Sequence, residues 1–297
     1  MDNALLIAIF AGLGGMFGWG AADFFAKKTI DAAGPIKSLV WAHVFGTITL
    51  IIAALGQHFV LKQPVELPNS GTAFLGLLFF GVLQMLVYWL VYRGFEKGQL
   101  SVLSPIFASY AGIVALASVT LFGEPITAAL VAALFMLFSG IILVNVDTSG
   151  LRSKQLNVVP GLKEVGASAV LAAIWTLGWD QFVEGKDSLS YTLFMYAFMS
   201  LAAWCLARLM KQTVLGVPRG LWKFLALSGL GEAVAYLSIT WGYSATNYTG
   251  VVALISGAFT VPTVILAYLF LHERISRIQV TAIGLIIIGI LVVSLAG

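Results

Sequence analysis

Long apolar runs, separated by short polar stretches, occupy almost the whole chain. A helix needs about 20 mostly apolar residues to cross the hydrocarbon core of a bilayer, because each residue adds only about 1.5 Å of rise. Ten runs have this length, so the pattern predicts an all-α integral membrane protein with ten transmembrane helices. The predicted spans are 5–25, 36–59, 71–93, 99–122, 126–146, 160–182, 188–210, 220–243, 247–271 and 275–296.

The composition excludes a soluble domain. Of the 297 residues, 60% are hydrophobic and only 10% are charged, against about 25% charged residues in ordinary soluble domains. The single cysteine, Cys205, provides neither a disulfide framework nor a cysteine-based metal site. The net charge is +3, and the charged residues lie in short gaps between apolar runs and not on one soluble face. We therefore expect no nucleic-acid partner. We also expect no metal and no cofactor.

The basic residues fall mainly on one side of the predicted membrane. When the gaps between spans are assigned alternately to the two sides, one side holds 14 of the 16 lysines and arginines, and the other holds only Lys62 and Lys186. Basic residues near short loops remain cytoplasmic. The distribution therefore predicts both termini on the outer side of the membrane, and we expect a prokaryotic inner membrane.

The second half of the chain repeats the first at a spacing of 149 residues. This shift aligns 122–124, Phe-Gly-Glu, with 271–273, Leu-His-Glu, and it aligns Gly140-Ile141 with Gly289-Ile290. The polar stretch 147–159 lies between the two copies. We interpret the pattern as a duplication.

Because a unit with five spans crosses the membrane an odd number of times, its second copy has the opposite orientation in the membrane. The sequence therefore predicts two inverted five-helix repeats, 1–149 and 150–297. Inverted repeats can exchange conformations, which exposes a site at their interface to each side of the membrane in turn. This arrangement is typical of secondary transporters.

Two polar and aromatic pairs occur within predicted spans. Glu232 precedes Tyr236 by one turn in the eighth span, and Gln84 precedes Tyr88 by one turn in the third, so each pair shares a helix face. A carboxylate at bilayer depth is unfavourable by about 2.5–3.5 kcal/mol on insertion scales and needs a reason to be there. Glu232 is either a proton-coupling group, a contact for a substrate amine, or a hydrogen-bonded structural residue.

Five other ionisable residues have simpler interpretations. Asp23 and Asp180 lie near predicted helix ends, where water or headgroups would solvate them. Glu124 and Glu273 lie in tight turns and are expected to cap the next helix. His43 could face a cavity, but a lone histidine in a helix is more often bonded to a neighbour.

Small and aromatic residues mark further positions. Trp19 and Trp175 occupy matching places in the two repeats and could form an aromatic pocket wall, which suits stacking and cation-π contacts. The pair Gly14 and Gly18 favours close helix packing. Pro262 lacks a backbone N–H and is expected to bend the ninth span and to mark a gate.

The chain resembles the drug/metabolite transporter superfamily, and within it the ten-helix group with paired EamA-type domains. The residues that carry the resemblance are Gly18-Trp19-Gly20, Ile174-Trp175-Thr176 and the repeated endings of the fourth and ninth spans. The resemblance implies a ten-helix secondary carrier for amino acids or other metabolites, with a central cavity between the halves.

The sequence thus favours a transporter of small metabolites, most simply an exporter, working in the lipid bilayer as a monomer or homodimer. Proton-coupled efflux of organic cations is the alternative. An intramembrane enzyme or a scaffold would be a third class, but the chain has no recognisable catalytic motif. The predicted substrate-binding residues are Trp19, Gln84, Tyr88, Trp175, Glu232 and Tyr236, with Glu232 also as the coupling residue.

The predicted orientation can be tested with reporter fusions at the carboxyl end. We expect a reporter that is active only outside the cytoplasm to be active there, because the charge distribution biases insertion. A matched fusion of a reporter active only in the cytoplasm should be silent. The reverse result would overturn the orientation while leaving the repeat intact.

Overall fold

The computed structural model describes residues 3–123, 128–144, 160–272 and 276–295, and this part of the chain contains helices and no β-strand. Arg219–Leu221 forms a short 3-10 turn, and Ala267–Leu271 is a stretch of π-helix. The α-helices are α1 (Asn3–Ala33), α2 (Pro35–Phe59), α3 (Gly71–Lys97), α4 (Leu100–Ala108), α5 (Tyr110–Phe122), α6 (Ala128–Val144), α7 (Leu162–Val183), α8 (Ser188–Leu209), α9 (Trp222–Ala245), α10 (Thr249–Gly257), α11 (Thr260–Leu266) and α12 (Arg277–Leu295).

Seven helical stretches in the described residues are long and apolar enough to cross a membrane. They comprise α1, α2, α3, α4 with α5, α8, α9 with its preceding turn, and α10 with α11 and the π-helical stretch. The other three predicted spans coincide with α6, α7 and α12, which are helical in the described residues. The prediction of an all-helical membrane protein is confirmed, and the count of ten crossings stays a prediction.

The first helix extends eight residues beyond its predicted end at position 25, to Ala33. The charged residues of this last part have partners. The Lys27 ammonium lies 2.7 Å from Asp31 Oδ1 and donates to the carbonyl oxygen of Phe95 at 2.8 Å. Because these contacts satisfy the charge, Lys27 is accommodated within the helix and does not end it.

Within the described residues, each half contains a span that is broken into two helices. The break between α4 and α5 falls at Ser109, and the break between α10 and α11 falls at Ala258 and Phe259. In the second case Pro262 has no N–H for the carbonyl of Ala258, four residues earlier. The bend predicted for the ninth span therefore coincides with a break in the helix, and a gate at this point stays a prediction.

The broken spans repeat at the spacing found in the sequence. Helices α4 and α10 begin at Leu100 and Thr249, and the two spans end at residues with left-handed backbone, Gly123 with φ 67° and His272 with φ 57°. Both pairs are separated by 149 positions. The predicted caps Glu124 and Glu273, and the joint at 147–159, lie outside the described residues.

Helix α9 packs closely against α1. A Cβ atom added at Gly18 would lie 2.6 Å from the carbonyl oxygen of Gly231, and one added at Gly231 would lie 2.7 Å from the carbonyl oxygen of Gly18. A Cβ at Gly14 would overlap the side chain of Ser238 in α9. The predicted close packing at Gly14 and Gly18 is confirmed, with α9 as the partner.

Helix α9 also packs against α2, because a Cβ at Gly229 would overlap the backbone of Ala42 and Gly46. Further contacts between the halves join α3 to α7 and α8, and α1 to α10. The helices of the two halves are therefore interleaved, and their shared interior contains the buried polar residues described below.

Replacing Gly231 with alanine should weaken the packing of α9 on α1. The new methyl group would overlap a backbone oxygen, which cannot move away by changing rotamer, and overpacking of this kind destabilises by about 1–3 kcal/mol. Gly166→Ala in α7 is the matched control, because a Cβ there meets nothing within 4 Å. Thermal unfolding in detergent should show a lower Tm for Gly231→Ala only, and equal Tm values would contradict the packing argument.

Candidate functional site

A small cavity lies in the core where helices of the two halves meet. Its walls come from α1, α3, α4, α5 and α7. The lining residues are Trp19, Gln84, Tyr88, Phe107, Tyr110, Ala172, Trp175 and Thr176. The cavity holds only about 10 Å³, close to the roughly 10–15 Å³ that a single water molecule needs. The site is therefore closed to a solute, because its own side chains fill the space.

Five of the six predicted pocket residues come together here. Trp19, Gln84, Tyr88 and Trp175 line the cavity. Tyr236 is fully buried beside them, with its ring edge-on to Trp19 at a centroid distance of 5.5 Å and to Trp175 at 5.7 Å. The structure thus brings these residues into one cluster, and their role in binding stays a prediction.

Two polar side chains of the cavity wall carry an atom without a hydrogen-bond partner among the described residues. The amide nitrogen of Gln84 donates to the Tyr236 hydroxyl at 2.5 Å, but the amide oxygen has no partner. The indole N–H of Trp19 also has none. Buried polar atoms are nearly always hydrogen-bonded, so each unpaired one needs an explanation. A donor and an acceptor beside one cavity are what a polar solute would satisfy.

Glu232, the sixth predicted residue, lies one turn from Tyr236 but is not among the residues that line the cavity. Its side chain is almost fully buried and accepts hydrogen bonds from tyrosines of α3 and α8. The Tyr92 hydroxyl donates to Oε1 at 3.0 Å, and the Tyr196 hydroxyl donates to Oε2 at 2.6 Å. The carboxylate therefore lies in a separate polar cluster beside the aromatic cavity.

His43 of α2 completes this cluster. Its Nδ1 lies 2.5 Å from the carbonyl oxygen of Leu39, the neighbour contact that the sequence led us to expect. Its Nε2 lies 3.4 Å from Glu232 Oε2, and the ring meets Tyr88 edge-on at a centroid distance of 5.2 Å. The sequence gives no signal for this pairing, because His43 and Glu232 are far apart in the chain and belong to different halves.

Asp23 and Asp180 are predicted to be solvated carboxylates at helix ends. Each residue is only 4% exposed. Asp23 lies well inside α1, because that helix continues to Ala33, and it accepts a long hydrogen bond of 3.3 Å from the Ser104 hydroxyl. Asp180 does lie near the end of α7, but its Oδ1 accepts from the Thr249 hydroxyl at 2.8 Å. The prediction of a solvated helix-end carboxylate is wrong for Asp23, whereas Asp180 does lie near a helix end and borders a polar cavity.

A second cavity, of about 480 Å³, lies beside the end of α7. It is polar, and Asp180 and Glu184 both border it.

In the part of the chain that the structure describes, no three histidine, cysteine, aspartate or glutamate side chains come together as a metal site requires.

Comparisons with known proteins identify the family. The model of the EamA-like transporter family matches residues 6–146 and 165–295, one stretch in each predicted half. Among curated proteins, no relative matches. Several solved structures match, and among them is a crystal structure with a TM-score of 0.73 and 18% sequence identity, covering 97% of this chain and 96% of the other, which indicates a shared fold.

The family match covers most of the chain, includes both copies of the repeat and agrees with the resemblance found in the sequence. Proteins of this family are multi-pass membrane transporters and not enzymes. The chain belongs to the EamA-like transporter family.

Proposed function

We propose that the chain is a secondary transporter that exports small metabolites, amino acids or related solutes, by alternating access through the central cavity. The observation that carries this proposal is the closed cavity between the two halves, with an unpartnered donor on Trp19 and an unpartnered acceptor on Gln84. Carriers built from inverted repeats bind their solutes where the repeats meet.

The chemistry of the wall suits a small solute with both a donor and an acceptor. The indole N–H of Trp19 can donate to a carboxylate or carbonyl, and the amide oxygen of Gln84 can accept from an ammonium or N–H group. Tyr88 and Trp175 offer ring faces to an apolar or cationic part of the solute. An amino acid has all three features.

Efflux of organic cations is less well supported. Such a mechanism uses Glu232 as a direct contact for the cation, but both of its oxygens already accept tyrosine hydroxyl groups, and the residue is not in the cavity wall. We propose instead that Glu232 couples transport to protons. It releases a proton towards one side of the membrane and regains one from the other as the cavity alternates.

Replacing Trp19 with phenylalanine should weaken solute binding while preserving the aromatic wall. The change removes the N–H donor, and a typical hydrogen bond contributes about 1 kcal/mol, so the apparent affinity should fall about fivefold. Counterflow of radiolabelled amino acids in proteoliposomes measures this.

Trp241→Phe is the control for this experiment, because Trp241 is 42% exposed and is not among the residues that line the cavity. If the affinity of Trp19→Phe is unchanged, the indole N–H does not contribute to solute binding. Counterflow of a lipophilic cation in place of amino acids would favour the alternative function.

Replacing Glu232 with glutamine should abolish accumulation driven by a pH gradient while counterflow exchange survives. Glutamine keeps the shape, and the hydroxyl groups of Tyr92 and Tyr196 can accept as well as donate, so the fold should be retained. Both activities are measured in the same proteoliposomes. Full gradient-driven transport in Glu232→Gln would assign the residue a structural role and leave the carrier either uncoupled or coupled elsewhere.

A further inference from the structure

We infer that His43 and Glu232 hold a single proton between them, and that this shared proton is the one that couples transport. The inference rests on the proposed transport function and assigns to its coupling site a second residue, which lies in the other half of the chain. Neither residue carries the proton alone.

The orientation of His43 determines which of its nitrogens can share a proton with Glu232. A carbonyl oxygen can only accept, so the contact of 2.5 Å with Leu39 requires a hydrogen on Nδ1. Nδ1 therefore keeps its hydrogen in both the neutral and the charged imidazole. The nitrogen that gains and loses a proton is Nε2, and this nitrogen lies 3.4 Å from Glu232 Oε2.

This geometry is best explained by a proton in the pair, because Nε2 of His43 has no hydrogen-bond partner among the described residues. A neutral His43 with an ionised Glu232 would bring a nitrogen lone pair against a carboxylate oxygen, with both residues almost fully buried. Such an arrangement is repulsive, and the low local dielectric strengthens the repulsion. One proton removes it, either on Nε2 as an imidazolium beside a carboxylate or on Glu232 as a carboxylic acid. The proton belongs to the pair in both forms.

Other groups around the pair do not replace this proton. In the described ranges, no lysine or arginine forms an ion pair with His43 or Glu232. The surrounding titratable groups are Asp23 from α1, Tyr88 and Tyr92 from α3, Tyr196 from α8 and Tyr236 from α9. The tyrosines are neutral donors, and Asp23, when ionised, adds negative charge. A proton is therefore the only positive charge available to balance Glu232 within this cluster.

The pair is connected to the cavity on two sides. The ring of Tyr88 contacts His43 and also lines the cavity. Tyr236 lies one turn from Glu232 on α9 and accepts the hydrogen bond from Gln84. A solute that enters the cavity and displaces Tyr88 or Tyr236 alters the separation of His43 and Glu232. The shared proton can then leave to water on one side, and the pair regains one from the other side when the cavity reverses.

The first experiment compares His43→Gln, Glu232→Gln and the double variant in proteoliposomes. Each single variant should lose accumulation driven by a pH gradient and keep amino-acid counterflow, and the double variant should lose nothing more, because residues that act as a unit are not additive. His58→Gln is the control, an exposed histidine on the same helix, and should behave as wild type. Gradient-driven accumulation at the wild-type level in His43→Gln would overturn the inference.

A second measurement on the wild-type protein needs no variant that might fail to fold. With ¹⁵N-labelled histidine, solid-state NMR should show His43 Nδ1 protonated at neutral pH. Infrared difference spectra should then find the second proton either on Nε2 or on the Glu232 carboxyl group. An unprotonated Nε2 beside an ionised Glu232 would refute the shared proton even if transport is observed. If no solute moves in counterflow, the proposed transport function fails, but the spectra still decide whether the pair holds a proton.

Discussion

Close backbone contact between α1 and α9 is the constraint on which the rest of the interior depends. Helices in a bilayer gain little from the hydrophobic effect when they associate, because lipid tails are as apolar as leucine side chains, so they rely on close packing. Gly18 and Gly231 allow the two backbones to touch, and Gly229 allows the same approach to α2. Helix α9 of the second half is thereby held between two helices of the first. This position brings Glu232 and Tyr236 towards residues from the other half.

Polar groups in this interior are stabilised mainly by hydroxyl groups. Asp23 accepts from Ser104, and Asp180 accepts from Thr249. The two halves therefore share one arrangement. In each, the aspartate lies about one turn after the tryptophan of the cavity wall, and it accepts a hydrogen bond from a hydroxyl group on the first helix of the broken span in the same half. Similarly, Glu232 accepts from two tyrosines. Hydroxyl groups satisfy a carboxylate without a fixed positive charge, which leaves its protonation free to change.

Much of the fold could be predicted from the sequence, because a bilayer imposes strong rules on length and polarity. The apolar runs located the helices, and the 149-residue shift located the repeat. The spacing of Gln84 with Tyr88, and of Glu232 with Tyr236, identified two helix faces that do meet, since Gln84 bonds to Tyr236 across the halves. Side chains that share a helix face are visible as a sequence pattern.

Contacts between distant helices could not be predicted in this way. The break after α4 has no counterpart in the predicted spans, whereas Pro262 gives a local sign of the break after α10. The burial of Asp23 depends on the extension of α1 and on contacts of Lys27 with α3, which local spacing does not encode. The approach of His43 to Glu232 requires the packing of α2 on α9. Each of these features depends on three-dimensional neighbours.

The closed aromatic cavity also has a consequence for the membrane when no solute is present. Its rings leave space for about one water molecule, so no continuous file of water crosses this point. Protons move rapidly along such files, and a carrier that contained one would drain the gradient of its host membrane even while idle. The same side chains that fill the site therefore also limit the movement of protons along water through this point.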